Sequence, residues 1–181
     1  MESVLKEKTC CFTGHRSRDL PFEGDRSKMG MKHLVSTVQL KIKEAVADGY
    51  DTFITGMADG IDLICAEAVH ELITHGAKLN LLCAMPYPEQ VREIKTLRDR
   101  YLHEMLTELY PTVFVSPCYS KDCYRLRNQY MVERASRLIG VVKDKQKGSG
   151  TMQTIRMAQN AGLDCRIIRL DGNPVFYLGD E

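Results

Sequence analysis

Three short segments of this chain set glycine beside a polar side chain just after an expected strand, and two of them, the second and third, are glycine-rich turns that lead into a helix. They are Thr13-Gly14-His15-Arg16, the stretch TGMADGID at 55–62, and Lys147-Gly148-Ser149-Gly150-Thr151. A helix N-terminus presents unpaired N–H groups and a partial positive charge, and glycine lets an anion approach them closely. Phosphate is the natural guest of such a turn. Neither glycine-rich turn matches GxGxxG after the first strand or GxxxxGK[ST], so the common dinucleotide fingerprint and the P-loop are unsupported.

Each polar residue brings its own chemistry. Arg16 can fork onto a phosphate, and His15 can exchange a proton near neutral pH. In the second segment Gly56, Met57, Ala58, Asp59 and Gly60 form the turn. Asp62 follows in a first helical turn, where the dipole favours a carboxylate. There it serves the helix, holds a ribose hydroxyl or ties the loops together. Gly148, Ser149 and Gly150 lead into the last helix, with Thr151 as a candidate N-cap. Pro86 and Gln90 are weaker candidates on the same edge. Arg127 and Asn128 stand near the start of a later helix and reach back over the cleft or form part of a solvated face. His33, His70, His75 and His103 read as helix-surface residues.

The elements that must position these groups follow from periodicity. Six short apolar runs read as strands: 8–14, 51–56, 78–86, 112–117, 137–143 and 165–170. They are continuous rather than alternating, which suits strands covered on both faces. Helical spacing links them. Met31, Leu34, Val35, Val38, Ile42, Ala45 and Val46 share one face, as do Ile61, Ile64, Cys65, Ala68, Leu72 and Ile73. A third helix is expected over 89–109, with Val91, Ile94, Leu97, Tyr101, Met105 and Leu109 inward. A fourth is expected over about 121–135. A fifth is expected over about 152–161, ending at Gly162. Alternating strands and helices predict an α/β, Rossmann-like, doubly wound, mostly parallel sheet of about six strands with helices on both faces, in a single domain. In such sheets ligands bind beyond the carboxyl ends of the strands, where the three segments fall. The tail, DGNPVFYLGDE, reads as a short extra strand or a loose end.

Composition excludes several classes. The 181 residues are 44% hydrophobic and 27% charged, with a formal net charge of +1. That is no basic field for nucleic acid, and a nucleic-acid partner is not expected. The opening residues lack an apolar run of signal-peptide length, and no run reaches the roughly 18 residues that span a bilayer. The expectation is a cytoplasmic protein. Seven cysteines without a CxxC read mostly as reduced core residues, with Cys118 and Cys123 in a polar loop. No metal is assigned. The apolar ends of the later helices leave room for a homodimer.

Taken in order, TGHR, TGMADGID, the segment 86–90, RNQYM at 127–131 and KGSGT span nearly the whole chain. This ordered set resembles the YpsA-like family of the SLOG superfamily, which also holds the DNA-processing protein DprA and the LOG phosphoribohydrolases. The resemblance implies a pocket for a nucleotide or nucleotide-derived ligand of the ADP-ribose or NAD type. It implies pocket residues at 13–16, at 56–62, at Arg127 and Asn128 and at 148–151. One departure bears on activity. LOG enzymes resemble a PGGxGTxxE pattern whose glutamate takes part in cleaving an N-glycosidic bond, and Thr154 stands at that place here. Asp59, Asp62, Glu89 or His15 would then have to serve as acid or base. The leading expectation is a module that binds or senses a nucleotide derivative. The alternatives are a nucleoside 5′-monophosphate phosphoribohydrolase and a DprA-like single-stranded DNA or protein-interaction module, for which Arg92, Lys95, Arg98 and Arg100 with Tyr101 are the candidate contacts.

Overall fold

Runs of apolar residues that must be covered on both faces find that cover between two helical layers. The computed structural model, which describes residues 5–143 and 149–179, has this arrangement. Its strands are β1 (Thr9–Gly14), β2 (Thr52–Thr55), β3 (Asn80–Met85), β4 (Thr112–Phe114), β5 (Arg137–Val142) and β6 (Asp164–Arg169). Every pairing is parallel, in the order β4-β3-β2-β1-β5-β6. The helices are α1 (Met29–Ala47), α2 (Ile61–Thr74), α3 (Leu97–Leu109), α4 (Cys123–Glu133) and α5 (Gly150–Asn160).

The register divides the strand side chains between two cores. Cys11 lies beside Ile54 on one side and Leu138 on the other. These three pack with Met131 and Val132 of α4 and with Ile155 and Ala158 of α5. The alternate residues Cys10, Phe12, Phe53 and Ile139 face α1, α2 and α3 through Leu34, Ile42, Ile64 and Leu106. Phe12 and Phe53 stack there with ring centroids 5.9 Å apart. Burying one such side chain contributes about 1.5–3 kcal/mol. The chain thus steps from β1 out to β4 with its helices on one face, then returns to β5 and β6 with its helices on the other. Right-handed crossovers require that change of face. The reversal opens a crevice at the carboxyl ends of β1 and β5, the topological switch point.

Three expectations change. The segment expected as one helix over 89–109 is a 3₁₀ turn, Pro88–Glu93, followed by extended backbone at Ile94 and Thr96 and then by α3. The Thr96 hydroxyl accepts from Asp99 N at 3.2 Å, capping and restarting the helix. The restart moves the buried face to Leu102, His103 and Leu106, leaving Leu97, Tyr101 and Leu109 exposed. His103 is therefore a core residue, not a surface one. The tail is neither strand nor loose end. It makes a 3₁₀ turn, Pro174–Tyr177, that buries Phe176 against the α1 core, while Gly30 N donates to Leu178 O at 2.8 Å. Cys123 is buried where a polar loop was expected, and Cys118 is exposed.

Candidate functional site

The glycines of the β2–α2 turn are filled by the protein itself. A β-carbon on Gly56 would lie 1.7 Å from the Arg127 guanidinium. One on Gly60 would lie 2.4 Å from the His15 carbonyl, and Gly60 also adopts a φ of +84° that side chains rarely tolerate. One on Gly14 would run into Ile61. The small residues let the β1 loop, the β2 loop and α4 come together. Met57 is held in the left-handed region at φ +59° and is fully buried.

Asp62 and Arg127 form the knot of this packing. Asp62 Oδ2 accepts from Ala58 N at 3.3 Å and pairs with Arg127 Nη1 at 3.4 Å, and both side chains are less than a tenth exposed. Arg127 also donates to Gly56 O, which accepts from Gln90 Nε2 at 3.2 Å as well. Burial pushes the Asp62 carboxyl up, against the pull of Arg127 and Arg16. Burial likewise pulls the Arg127 guanidinium down, and Asp62 opposes it. Of the roles weighed for Asp62, the geometry is that of tying the loops together.

His15 is buried, and its Nε2 accepts from Lys143 N at 2.9 Å. A backbone N–H can only donate, so the ring proton sits on Nδ1. Burial lowers its pKa. His15 thereby joins the end of β1 to the end of β5 across the switch point. Arg16 pairs with Asp59 at 3.1 Å, and Ser17 N donates to the same carboxylate.

Beyond this knot lies an open cleft of about 330 Å³. It brings together Thr13, Gly14, His15, Arg16, Ala58, Asp62, Arg127, Asn128, Ser149, Gly150 and Thr151. Met57, Gly60 and Gln90 are buried in the packing around it, Pro86 is buried at the end of β3, and Asp59 lines an adjoining cleft. Gly148 lies outside the described residues. Ser149, rather than Thr151, caps α5, with its hydroxyl accepting from Met152 N at 3.2 Å. The remaining first-turn N–H groups belong to Gly150 and Thr151. Among the described residues, nothing lies within 4 Å of a β-carbon placed on Gly150.

Residues 10–172 match the sequence model of the YspA SLOG family. The chain belongs to that family. Among its relatives in the curated sequences are UPF0398 proteins of Bacillus thuringiensis (strain Al Hakam) and Bacillus cereus (strain B4264). Each is 24% identical over 145 residues, 78% of this chain and 78% of the relative. In structure this SLOG chain is similar to DNA processing protein A from Helicobacter pylori, described for its single-stranded DNA binding mode. The TM-score is 0.56 at 18% identity, covering 94% of this chain and 71% of that one. At that identity the likeness establishes the Rossmann-like fold.

Several cleft residues were not singled out in the sequence: Arg18, Asp19, Tyr124 and Met131. Tyr124 had a legible signal, since it precedes Arg127 and Asn128 by three and four residues and so shares their helix face. Glu93 accepts from the hydroxyls of Tyr124 and Tyr87, and no local pattern announces that. Thr154, at the place of the LOG glutamate, is buried and donates to Gly150 O at 2.9 Å. Glu89 is exposed, and Asp59 and Asp62 are each engaged with an arginine. No helix among the described residues is long and apolar enough to cross a membrane.

Proposed function

We propose that this SLOG protein binds a nucleotide-derived ligand, of the AMP, NAD or ADP-ribose type, with a phosphate on the first turn of α5. The observation that carries this is the contrast between its glycines. Gly14, Gly56 and Gly60 are filled by protein, whereas a β-carbon on Gly150, at a helix N-terminus on the switch-point cleft, meets nothing among the described residues. The helix dipole and the N–H groups of Gly150 and Thr151 favour an anion there. Arg18, highly exposed on the same cleft, places a guanidinium there, paired with Asp19 at 3.4 Å. Asp62 and His15 are committed to holding loops, and Thr154 carries no carboxylate, so binding is better supported than hydrolysis.

Thermal shift with ribose 5-phosphate, AMP, NAD and ADP-ribose tests this. A ligand at 100 times its Kd adds about 2.7 kcal/mol, and each kcal/mol moves Tm by roughly 2–4 °C at this size. A shift in wild type that disappears in Gly150→Asp is the expected result. No shift with any phosphorylated ligand refutes the proposal.

Single-stranded DNA is a second reading, supported by the fold shared with DNA processing protein A. Of the candidate contacts, Arg98 is paired with Glu67 and Asp99, and Arg100 donates to Ile94 O, while Arg92, Lys95 and Tyr101 are exposed. Anisotropy of a labelled oligonucleotide across a salt series separates the two, because DNA contact loses affinity steeply as salt rises.

A further inference from the structure

We propose that Tyr124 is the platform on which the base of the ligand stacks. This rests on the phosphate site proposed above and adds the other end of the ligand. Tyr124 lines the same cleft as Ser149, Gly150 and Thr151. Four residues surround the ring. Its hydroxyl donates to Glu93, which accepts from Tyr87 at the same oxygen. The buried Tyr87 meets it edge-on, with centroids 6.3 Å apart at 87°. The Arg16 and Arg127 guanidiniums stand 5.2 and 5.8 Å from its centroid. Both stand farther from the ring than Arg134 stands from Tyr130, at 3.7 Å. A ring held at its hydroxyl, partly buried and lining a cleft, is suited to base stacking, which tolerates any base because every base has a π-face.

The geometry also assigns Glu93 and Tyr87 as positioning residues, since they contact Tyr124 without lining its cleft. Loss of the hydroxyl alone therefore leaves the platform present but less firmly held.

The test compares a ligand with a base and one without, AMP and ribose 5-phosphate, by calorimetric titration. Wild type is expected to bind AMP about tenfold or more tightly than ribose 5-phosphate. Tyr124→Leu is expected to abolish that advantage while leaving ribose 5-phosphate affinity unchanged, and Tyr124→Phe to keep most of it. Equal affinity of wild type for the two ligands overturns the stacking role alone and leaves the phosphate site standing. AMP affinity unchanged in Tyr124→Leu also overturns it, as does an equal loss of both ligands in Tyr124→Leu, which makes the ring structural. No binding of either ligand to wild type overturns the stacking role together with the phosphate site. The chain has no tryptophan, so its intrinsic fluorescence is tyrosine emission. Quenching by AMP that is lost in Tyr124→Leu gives an independent readout.

Discussion

Removing the Arg127 guanidinium should destabilise the fold severely, and in a way that reports its partner. In Arg127→Met the Asp62 carboxylate keeps its backbone contact with Ala58 but loses its cation while less than a tenth exposed. Gly56 O keeps only the amide of Gln90. Breaking a buried pair by removing one partner costs about 3–5 kcal/mol, because the remaining charge has no counterpart. At roughly 2–4 °C per kcal/mol, Tm should fall by roughly 6–20 °C at pH 7. Burial already raises the Asp62 pKa with Arg127 present. Without Arg127 that carboxyl rises further and takes a proton as pH falls, so the variant should recover part of its deficit between pH 7 and 5. The double variant Arg127→Met/Asp62→Asn removes the stranded charge and should be more stable than the single variant at pH 7. Gly56→Ala should resemble Arg127→Met, since its methyl would occupy the guanidinium position. Denaturation followed by circular dichroism at the two pH values measures all three. A single-variant loss below about 1 kcal/mol, typical of a solvated pair, would refute the reasoning. So would a double variant no more stable than the single one.

Two further predictions concern stability. Gly60→Ala should destabilise by about 1–3 kcal/mol through its positive φ and the clash with His15 O. Gly150→Ala should leave Tm within about 2 °C of wild type, its β-carbon meeting nothing among the described residues; equal Tm losses in the two variants would contradict the contrast drawn between these glycines. His103 is buried with neither ring nitrogen hydrogen-bonded among the described residues, and burial lowers its pKa from 6.5 to about 4. The unfolded chain then takes up a proton that the native state refuses. The group's contribution to stability is full above about pH 6.5 and declines by about 1.4 kcal/mol per unit toward pH 4. His103→Leu should flatten chemical-denaturation stability over that window, and parallel pH profiles would count against it.

Local pattern carried the architecture. Six continuous apolar runs demanded cover on both faces, the helices between them supplied it, and the turns that follow parallel strands all open on one edge. That is why segments as distant as Thr13 and Thr151 line one cleft. Spacing could not say which glycine faces a ligand. Gly56 and Gly150 look alike in sequence, yet one is filled by a guanidinium 71 residues away and the other meets nothing among the described residues. The phase of α3 was lost because a capping threonine restarted the helix after a break with extended backbone at Ile94 and Thr96, and periodicity read across such a break averages two registers. Tyr124 and Glu93 meet only because the 3₁₀ turn after β3 and the start of α4 are packed side by side. Sequence alone determined the six strands, the helices between them apart from the start of α3, and the edge they present, because those depend on residues within one or two turns of each other. Only the tertiary structure decided which polar groups hold the loops together and which stay free for a ligand, because that choice is made by contacts between segments with no fixed spacing along the chain.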